Sequence, residues 1–221
     1  MSRRIGQVGW AILIIMAAVA LLAPALAPYD PYATVGEPYL APSGAHLLGT
    51  NDIGQDIFSE LLYGTRTSLA VGFLSAAISI VLGAVIGMAA GWFGGFVDRV
   101  LMKLTAFFMT IPFLPAVIIL SAFTRPGIWT TSWILGLTSW SATARIVRSE
   151  TMAVKNKDYV LSIRAMGAGS GYLLARHVVK EILPLLLYRA AARVKSGILA
   201  ESSLSFLGLG SAVQKSWGAM I

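Results

Sequence analysis

SLAVGFLSAAISIVLGAVIGMAAGW, residues 68–92, runs without a charged side chain for longer than the roughly 20 residues that a helix needs to cross about 30 Å of hydrocarbon. A soluble core has no use for so long an apolar helix. Composition points the same way: 57% of the 221 residues are hydrophobic, 12% are charged and the mean hydropathy is +0.75, against roughly a quarter charged in an ordinary soluble domain. Apolar stretches at 8–27, 99–123, 128–147 and 182–206 join 68–92 to predict an all-α, polytopic transmembrane bundle of about five helices. Within 68–92, Ser75, Ser79, Gly83, Gly87 and Gly91 recur every four residues. That spacing lays small side chains along one helical face and predicts close helix packing, with no chemistry attached.

The other stretches differ in character. In TIPFLP (110–115), Pro112 and Pro115 lack amide hydrogens and deprive the carbonyls of Phe108 and Ile111 of their partners, so a kink is expected; it serves a moving helix or shapes the bundle. IWTTSWILGLTSWSATA (128–144) is rich in hydroxyls and should face protein or a water-lined cavity, with Trp129, Trp133 and Trp140 as interface anchors. The last stretch carries Arg189, Arg193 and Lys195 soon after Pro184, and Glu201 beyond them. A charge deep in a bilayer costs several kcal/mol. Arg189 is near enough to the end to snorkel, whereas Arg193 and Lys195 face a cavity or a partner subunit, unless the segment lies partly outside the membrane. The amino terminus, with Arg3, Arg4, an apolar run from Val8 and APALAP (23–28), is similar to a signal peptide. Pro28 at the first mature position and a run long enough to span argue for an uncleaved first helix.

Charge placement sets the expected orientation. Residues 28–67 hold Asp30, Glu37, Asp52, Asp56 and Glu60 against Arg66 alone, a net of −4, whereas residues 145–181 hold seven lysines and arginines against Glu150, Asp158 and Glu181, a net of +4. Basic loops stay inside during insertion, so the amino terminus and 145–181 are expected in the cytoplasm and 28–67 outside. The overall charge of +7 therefore reflects membrane topology and implies no nucleic-acid partner. There is no cysteine, and no G-x-S-x-G, H-E-x-x-H or phosphate-cradling motif. His177 and Glu181 stand one turn apart, but without a third ligand a surface ion pair is expected there and no metal site; His46 sits alone in the outer loop.

The basic stretch itself, YVLSIRAMGAGSGYLLARHVVKEILP (159–184), reads as two short helices, 152–165 and 172–181, broken by Gly167, Gly169 and Gly171. They predict a compact knob on the cytoplasmic side that docks a partner; a basic helix on anionic lipid and an ordinary loop are the other readings. SIRAMGAGSGYLLARHVVKEILP (162–184) resembles the cytoplasmic loop of permease subunits of binding-protein-dependent ABC importers. APYDP (27–31), HLLGTNDIGQDIFSELLYGTRTSL (46–69), GWFGGFVDR (91–99) and ILAESSLSFLGLG (198–210), followed by SWGAMI, are similar to the branch importing dipeptides, oligopeptides and nickel, in the family's order along nearly the whole chain. Leu161, Ser162 and Ile163 stand where the family has Glu-Ala-Ala, and Val179 and Lys180 replace an early Leu-Pro. The chain stops at Ile221, where relatives continue through a sixth helix.

The resemblance implies an amino-terminal helix with an extracytoplasmic entrance segment (1–67), then a transmembrane domain (68–221) with its coupling loop at about 150–184. It implies a multi-pass permease in the cytoplasmic membrane of a prokaryote, binding no cofactor itself. It would work with a second homologous permease, two ABC ATPases that carry ATP and Mg, an extracytoplasmic solute-binding protein and membrane lipid. Leu161, Arg164, Ala165, Met166, Gly167, Ala168, Gly169, Tyr172, Leu173 and Arg176 would couple to the ATPase, with Leu161, Met166, Tyr172 and Leu173 as the apolar grip. Asp52 and Asp56 would line the entrance, and Arg193 and Glu201 the pathway. A non-transporting scaffold subunit, a passive channel and a membrane-embedded enzyme are the rival readings, and the cargo, peptide or nickel, is left open.

Overall fold

The computed structural model describes residues 2–125, 127–210 and 214–220; the side chains of Arg3 and Arg4, and Ile221, lie outside the described residues. The described chain is all-helical: α1 (Ser2–Leu26), α2 (Ile57–Phe93), α3 (Gly95–Thr110), α4 (Phe113–Ala122), α5 (Ile128–Ser139), α6 (Ser141–Lys155), α7 (Asp158–Ala165), α8 (Ser170–Leu173) and α9 (Val179–Phe206), with a π-helical turn at Leu174–Val178 and a 3₁₀ turn at Gly218–Met220. Among the described residues, α2 alone is long and apolar enough to cross a membrane; α3 with α4 passes the same test as a pair bent by 82°.

Local chemistry explains where the apolar stretches break. Ile111 is extended (φ −77°, ψ 121°), as a residue before proline prefers, and Pro112 adopts the same region as the cap of α4. The bend therefore falls at 111–112. Pro115 sits in the first turn of α4, where its missing amide had no helical acceptor to lose, so the expected second lesion at Ile111 does not arise from it. The stretch 128–147 is divided at Trp140, and the preceding turn shows why: Thr138 and Ser139 hydroxyls donate to the carbonyls of Ile134 and Leu135, each at 2.7 Å. Such back-bonding competes with the helical ladder and bends helices.

The contacts divide the chain into two units. One holds residues 72–124 with 129–197. Its seam is the small-residue stripe of α2 lying on α6. A Cβ added to Gly83 would come within 2.6 Å of Thr143 Cβ, one on Gly87 within 2.5 Å of the Ala144 carbonyl oxygen, and one on Gly91 within 2.7 Å of the Arg148 carbonyl oxygen. Ser79, Thr143 and Thr151 are buried there with no hydrogen-bond partner for their hydroxyls among the described residues, so their small volume is what the seam uses. Ser75 lies at a second close approach: a Cβ on Gly197 of α9 would meet its Oγ at 2.5 Å, and one on Gly136 of α5 would meet its carbonyl oxygen at 3.2 Å. Polar ties hold the ends of α2 and α3 to α6. Arg148 donates from Nε and Nη2 to both carboxylate oxygens of Asp98, and Lys155 Nζ donates to the Trp92 carbonyl at 2.6 Å, capping the last turn of α2.

The other unit holds residues 1–71, 125–128 and 198–221. Its loop from Ala27 to Asp56 folds back onto the start of α2. Gly49 and Gly54 have positive φ (79° and 76°), and a Cβ at either would lie 2.2 Å from a carbonyl oxygen across the turn, so glycine is required at both. Asn51 Oδ1 accepts from the amides of Ile53 and Gln55, an Asx turn that closes the bend.

Gly87→Val forces a branched side chain into the Ala144 backbone. The solubilised protein should lose roughly 2–10 °C of thermal midpoint, an overpacking cost of about 1–3 kcal/mol, whereas Val85→Leu on the exposed face of the same helix should change little. Asp98 is held below the ordinary carboxylate value, chiefly by the hydrogen bond from Arg148. Its contribution to stability is thus present above pH about 4 and is lost as pH falls through the lowered folded value. Thermal midpoints of wild type and Asp98→Asn, measured from pH 6 to pH 3, should converge at the acid end.

Candidate functional site

The knob between α6 and α9 is built on one local device. α7 begins after an extended Lys157, with Asp158 in its first turn and Arg164 in its last, each charge complementing the helix dipole. It ends in a Schellman turn: the amide of Ala168 donates to the Ile163 carbonyl (3.3 Å) and that of Gly167 to the Arg164 carbonyl (3.0 Å), with Gly167 at φ +92°. The chain then reverses through Gly169 (φ −71°, ψ 154°) into α8. Ile163 and Ala168, which flank the turn, both pack on the core beneath it, the hydrophobic contact that accompanies this motif.

That core joins the knob to the helices behind it. Val160 of α7, Leu173 of α8, Val178 of the π turn and Ile182 of α9 are buried with Trp92 of α2 and Val147 and Val154 of α6. A polar clasp closes the open side. Lys157 Nζ donates to Glu181 Oε2 at 2.8 Å and the Tyr159 hydroxyl donates to Glu181 Oε1 at 3.0 Å. Lys157, and to a smaller extent Tyr159, hold the Glu181 carboxyl below its ordinary range. Glu181 in return raises Lys157, and burial, with the bond to Glu181, raises the Tyr159 hydroxyl.

The sequence-predicted coupling residues divide sharply. Leu161 (46% exposed), Met166 (78%) and Tyr172 (56%) stand out from the surface, together with Arg164, Ala165, Gly167, Gly169 and Arg176; Ala168 is half-buried. Leu173 is a correction. It is fully buried in the core just described, so it anchors the knob and offers no grip to a partner. The His177–Glu181 ion pair is a second correction: the π turn at Leu174–Val178 adds a residue to the helical turn and rotates His177 away, and it packs between the rings of Tyr159 and Tyr172 at 5.9 and 5.6 Å. The expected helix 152–165 is also two helices, broken at Asn156 and Lys157.

Two residues expected at the entrance or pathway are internal braces instead. Asp56 is fully buried. Burial pushes its carboxyl up, but hydrogen bonds from the hydroxyl and amide of Ser59 and from His46 prevail and hold it below the ordinary value. His46 Nδ1 lies 3.0 Å from Asp56 Oδ1, and since an ionised carboxylate only accepts, that nitrogen carries the proton. Glu201 is likewise buried, its oxygens accepting from Ser68 (3.0 Å) and Ser205 (2.7 Å). Asp52 is exposed and Arg193 half-buried. The chain's spacing shows no sign of Lys215, which bonds both Gln55 and Glu60, or of the Trp217 ring nitrogen donating to Thr65, because those partners are far apart in sequence. Among the described residues no three metal-ligating side chains cluster.

Comparison with known proteins bears on what this arrangement is for. Residues 83–220 match the family described as binding-protein-dependent transport system inner membrane component, and residues 1–46 match the N-terminal TM domain of oligopeptide transport permease C. The dipeptide transport system permease protein DppC of Bacillus subtilis (strain 168) is 34% identical over 99% of this chain and 69% of its own length. The oligopeptide transport system permease protein OppC of the same organism is 33% identical over 99% of this chain and 72% of its own length, and the glutathione transport system permease protein GsiD of Pectobacterium atrosepticum is 34% identical over 95% and 70%. A solved structure described as inward facing conformations of the MetNI methionine ABC transporter shares the fold at TM-score 0.56, with 23% identity over 70% of this chain and 77% of that one. The chain belongs to the binding-protein-dependent transport system inner membrane components, on the oligopeptide permease C branch, as a non-catalytic membrane component that carries no cofactor and works with an ATP-binding partner.

Proposed function

We propose that this subunit forms half of the translocation pathway of an ATP-driven peptide importer, and that the knob from Asp158 to Val178 is the joint through which one of two cytoplasmic ATPases moves it, the other docking on the corresponding loop of the second permease. The observation that carries this reading is the division of the knob's side chains. Leu161, Met166 and Tyr172 are exposed, while Val160, Leu173, Val178 and Ile182 bind it to α2, α6 and α9. Each large side chain fully buried contributes roughly 1.5–3 kcal/mol, so a push on the exposed face moves the helices behind it before it deforms the knob. ATP-driven closure of the ATPases would tilt those helices and open the path outward, powered by the difference in binding free energy between the two states.

Peptide is the cargo class supported by the names of the dipeptide and oligopeptide relatives; nickel, the other option open from the sequence, has no support there. The pathway's other half would come from a second, similar permease, and a solute-binding protein would deliver cargo to the segment around Asp52. In this reading α1, α2, the α3–α4 pair, the α5–α6 pair and α9 supply about five spans in the inner membrane, with the amino terminus and the knob in the cytoplasm, as the basic loop 145–181 favours.

The chain lacks cysteine, so a single introduced thiol reports its side of the membrane. Met166→Cys should react with a membrane-impermeant maleimide in inverted vesicles and stay unmodified in intact cells; labelling from outside the cell would reverse the topology and remove the coupling role. Gly167→Val puts a branched residue at φ +92°, a cost of about 1–3 kcal/mol confined to the turn. The assembled complex should keep its membrane level yet lose about tenfold or more of its cargo-stimulated ATPase rate, and unchanged stimulation would separate the knob from coupling.

A further inference from the structure

The carboxylates of the unit 72–124 with 129–197 lie outside its apolar stretches, and the two that structure the knob and its base are taken: Asp98 by Arg148, and Glu181 by Lys157 and Tyr159. The stretches 72–92, 99–124, 129–147 and 182–197 contain no acidic residue. They do contain Arg189, Arg193 and Lys195. None of these three takes part in an ion pair among the described residues, and Arg189 Nε is buried with no hydrogen-bond partner. Glu201, about two turns beyond Arg193, already accepts from Ser68 and Ser205.

Geometry makes the two arginines a pair. At about 100° per residue, Arg189, Arg193 and Ser196 fall within a sector of roughly 60° on α9, beside the small Ala192, while Lys195 lies about 160° round the helix from Arg193. In the proposed topology, where 182–206 crosses the membrane, Arg193 stands near the midpoint of that stretch, about 16 Å along the helix and beyond the reach of a lipid headgroup at either surface. Unpaired cations at that depth require an anion that this chain does not supply. Arg189 and Arg193 are both half-buried in the subunit and stand on successive turns of one face of α9. A staggered, incompletely enclosed series binds an anion weakly enough to hand it on, which is what a conduit needs and a permanent subunit contact does not.

We infer that Arg189 and Arg193 form a two-rung carboxylate-binding ladder on α9 that guides anionic cargo through the membrane. The inference rests on the importer reading above for the identity of the cargo: a peptide presents its terminal carboxylate. Their guanidinium groups grip that carboxylate through paired N–H donors.

The test uses the complete importer in proteoliposomes, with Arg193→Cys in this cysteine-free chain and modification read on this chain by mass spectrometry. Arg189, one turn away on the same face, should make the anionic sulfonatoethyl methanethiosulfonate react at least about fivefold faster than the cationic trimethylammonioethyl reagent, and saturating trialanine should slow the anionic reaction about threefold or more. Equal rates, or no reaction with either reagent, overturn the inference. In uptake of labelled trialanine, Arg193→Gln should lose about tenfold and Arg193→Lys should stay within about threefold of wild type. Dissociation of the Arg193→Gln complex during purification would instead assign the cation to subunit packing and overturn the ladder. If wild type imports no trialanine while the anionic reagent keeps its advantage, the peptide reading falls and the anion site stands.

Discussion

The arrangement depends on how closely the backbones of α2 and α6 approach. No hydrophobic drive separates helix from lipid in a membrane, so association rests on van der Waals packing between surfaces that fit. Gly83, Gly87 and Gly91 leave room for the carbonyls of Ala144 and Arg148 and the side chains of Thr143 and Thr151. Three consecutive turns are therefore locked in register, and that register fixes the contacts at the end of α2. It brings Trp92 beneath Val147 and Val154, and it places Lys155 on the last carbonyl of α2.

From that seam the knob inherits its foundation. Trp92, Val147 and Val154 form the floor on which Val160, Leu173, Val178 and Ile182 close. The Schellman turn at Gly167 then sets the direction in which Met166 projects, and the clasp of Lys157 and Tyr159 on Glu181 ties the start of α7 to the start of α9. The clasp is solvent-exposed and contributes little on the scale of surface ion pairs, so the apolar floor carries the stiffness. The ionic groups instead keep the approach of α7 to α9 specific.

Much of this was legible in the sequence because it obeys local rules. The apolar run of α2, the four-residue period of its small side chains, the break before Pro112 and the need for glycine at 167 are each written within a few turns of helix. What escaped is what depends on a covering element from elsewhere in the chain. Leu161 and Leu173 both read as apolar knob residues, and only the packing of α7 and α8 on Trp92 sends one outward and the other inward. Asp56 and Glu201 read as available charges because Ser59 and His46, or Ser68 and Ser205, close on them through the fold. The π turn left no mark either: Leu-Ala-Arg-His-Val suits an α-helix as well, and the register shift at His177 emerges from the fit of Val178 into the core.

The same distinction bears on how the knob would hold its partner. Leu161 stands where the family places an acid, so no charge on that helix position reaches outward. Asp158 is exposed in the first turn of α7, at the end away from the Gly167 turn, and Glu181 is clasped by Lys157 and Tyr159, while Arg164 and Arg176 are exposed. Away from Asp158 the face offered is apolar and cationic: a leucine, a flexible methionine that adapts to irregular surfaces and a tyrosine with one wet end, framed by two guanidiniums. A surface of that kind is gripped by burial and steered by charge, and it asks of the partner an apolar cleft with an acidic rim.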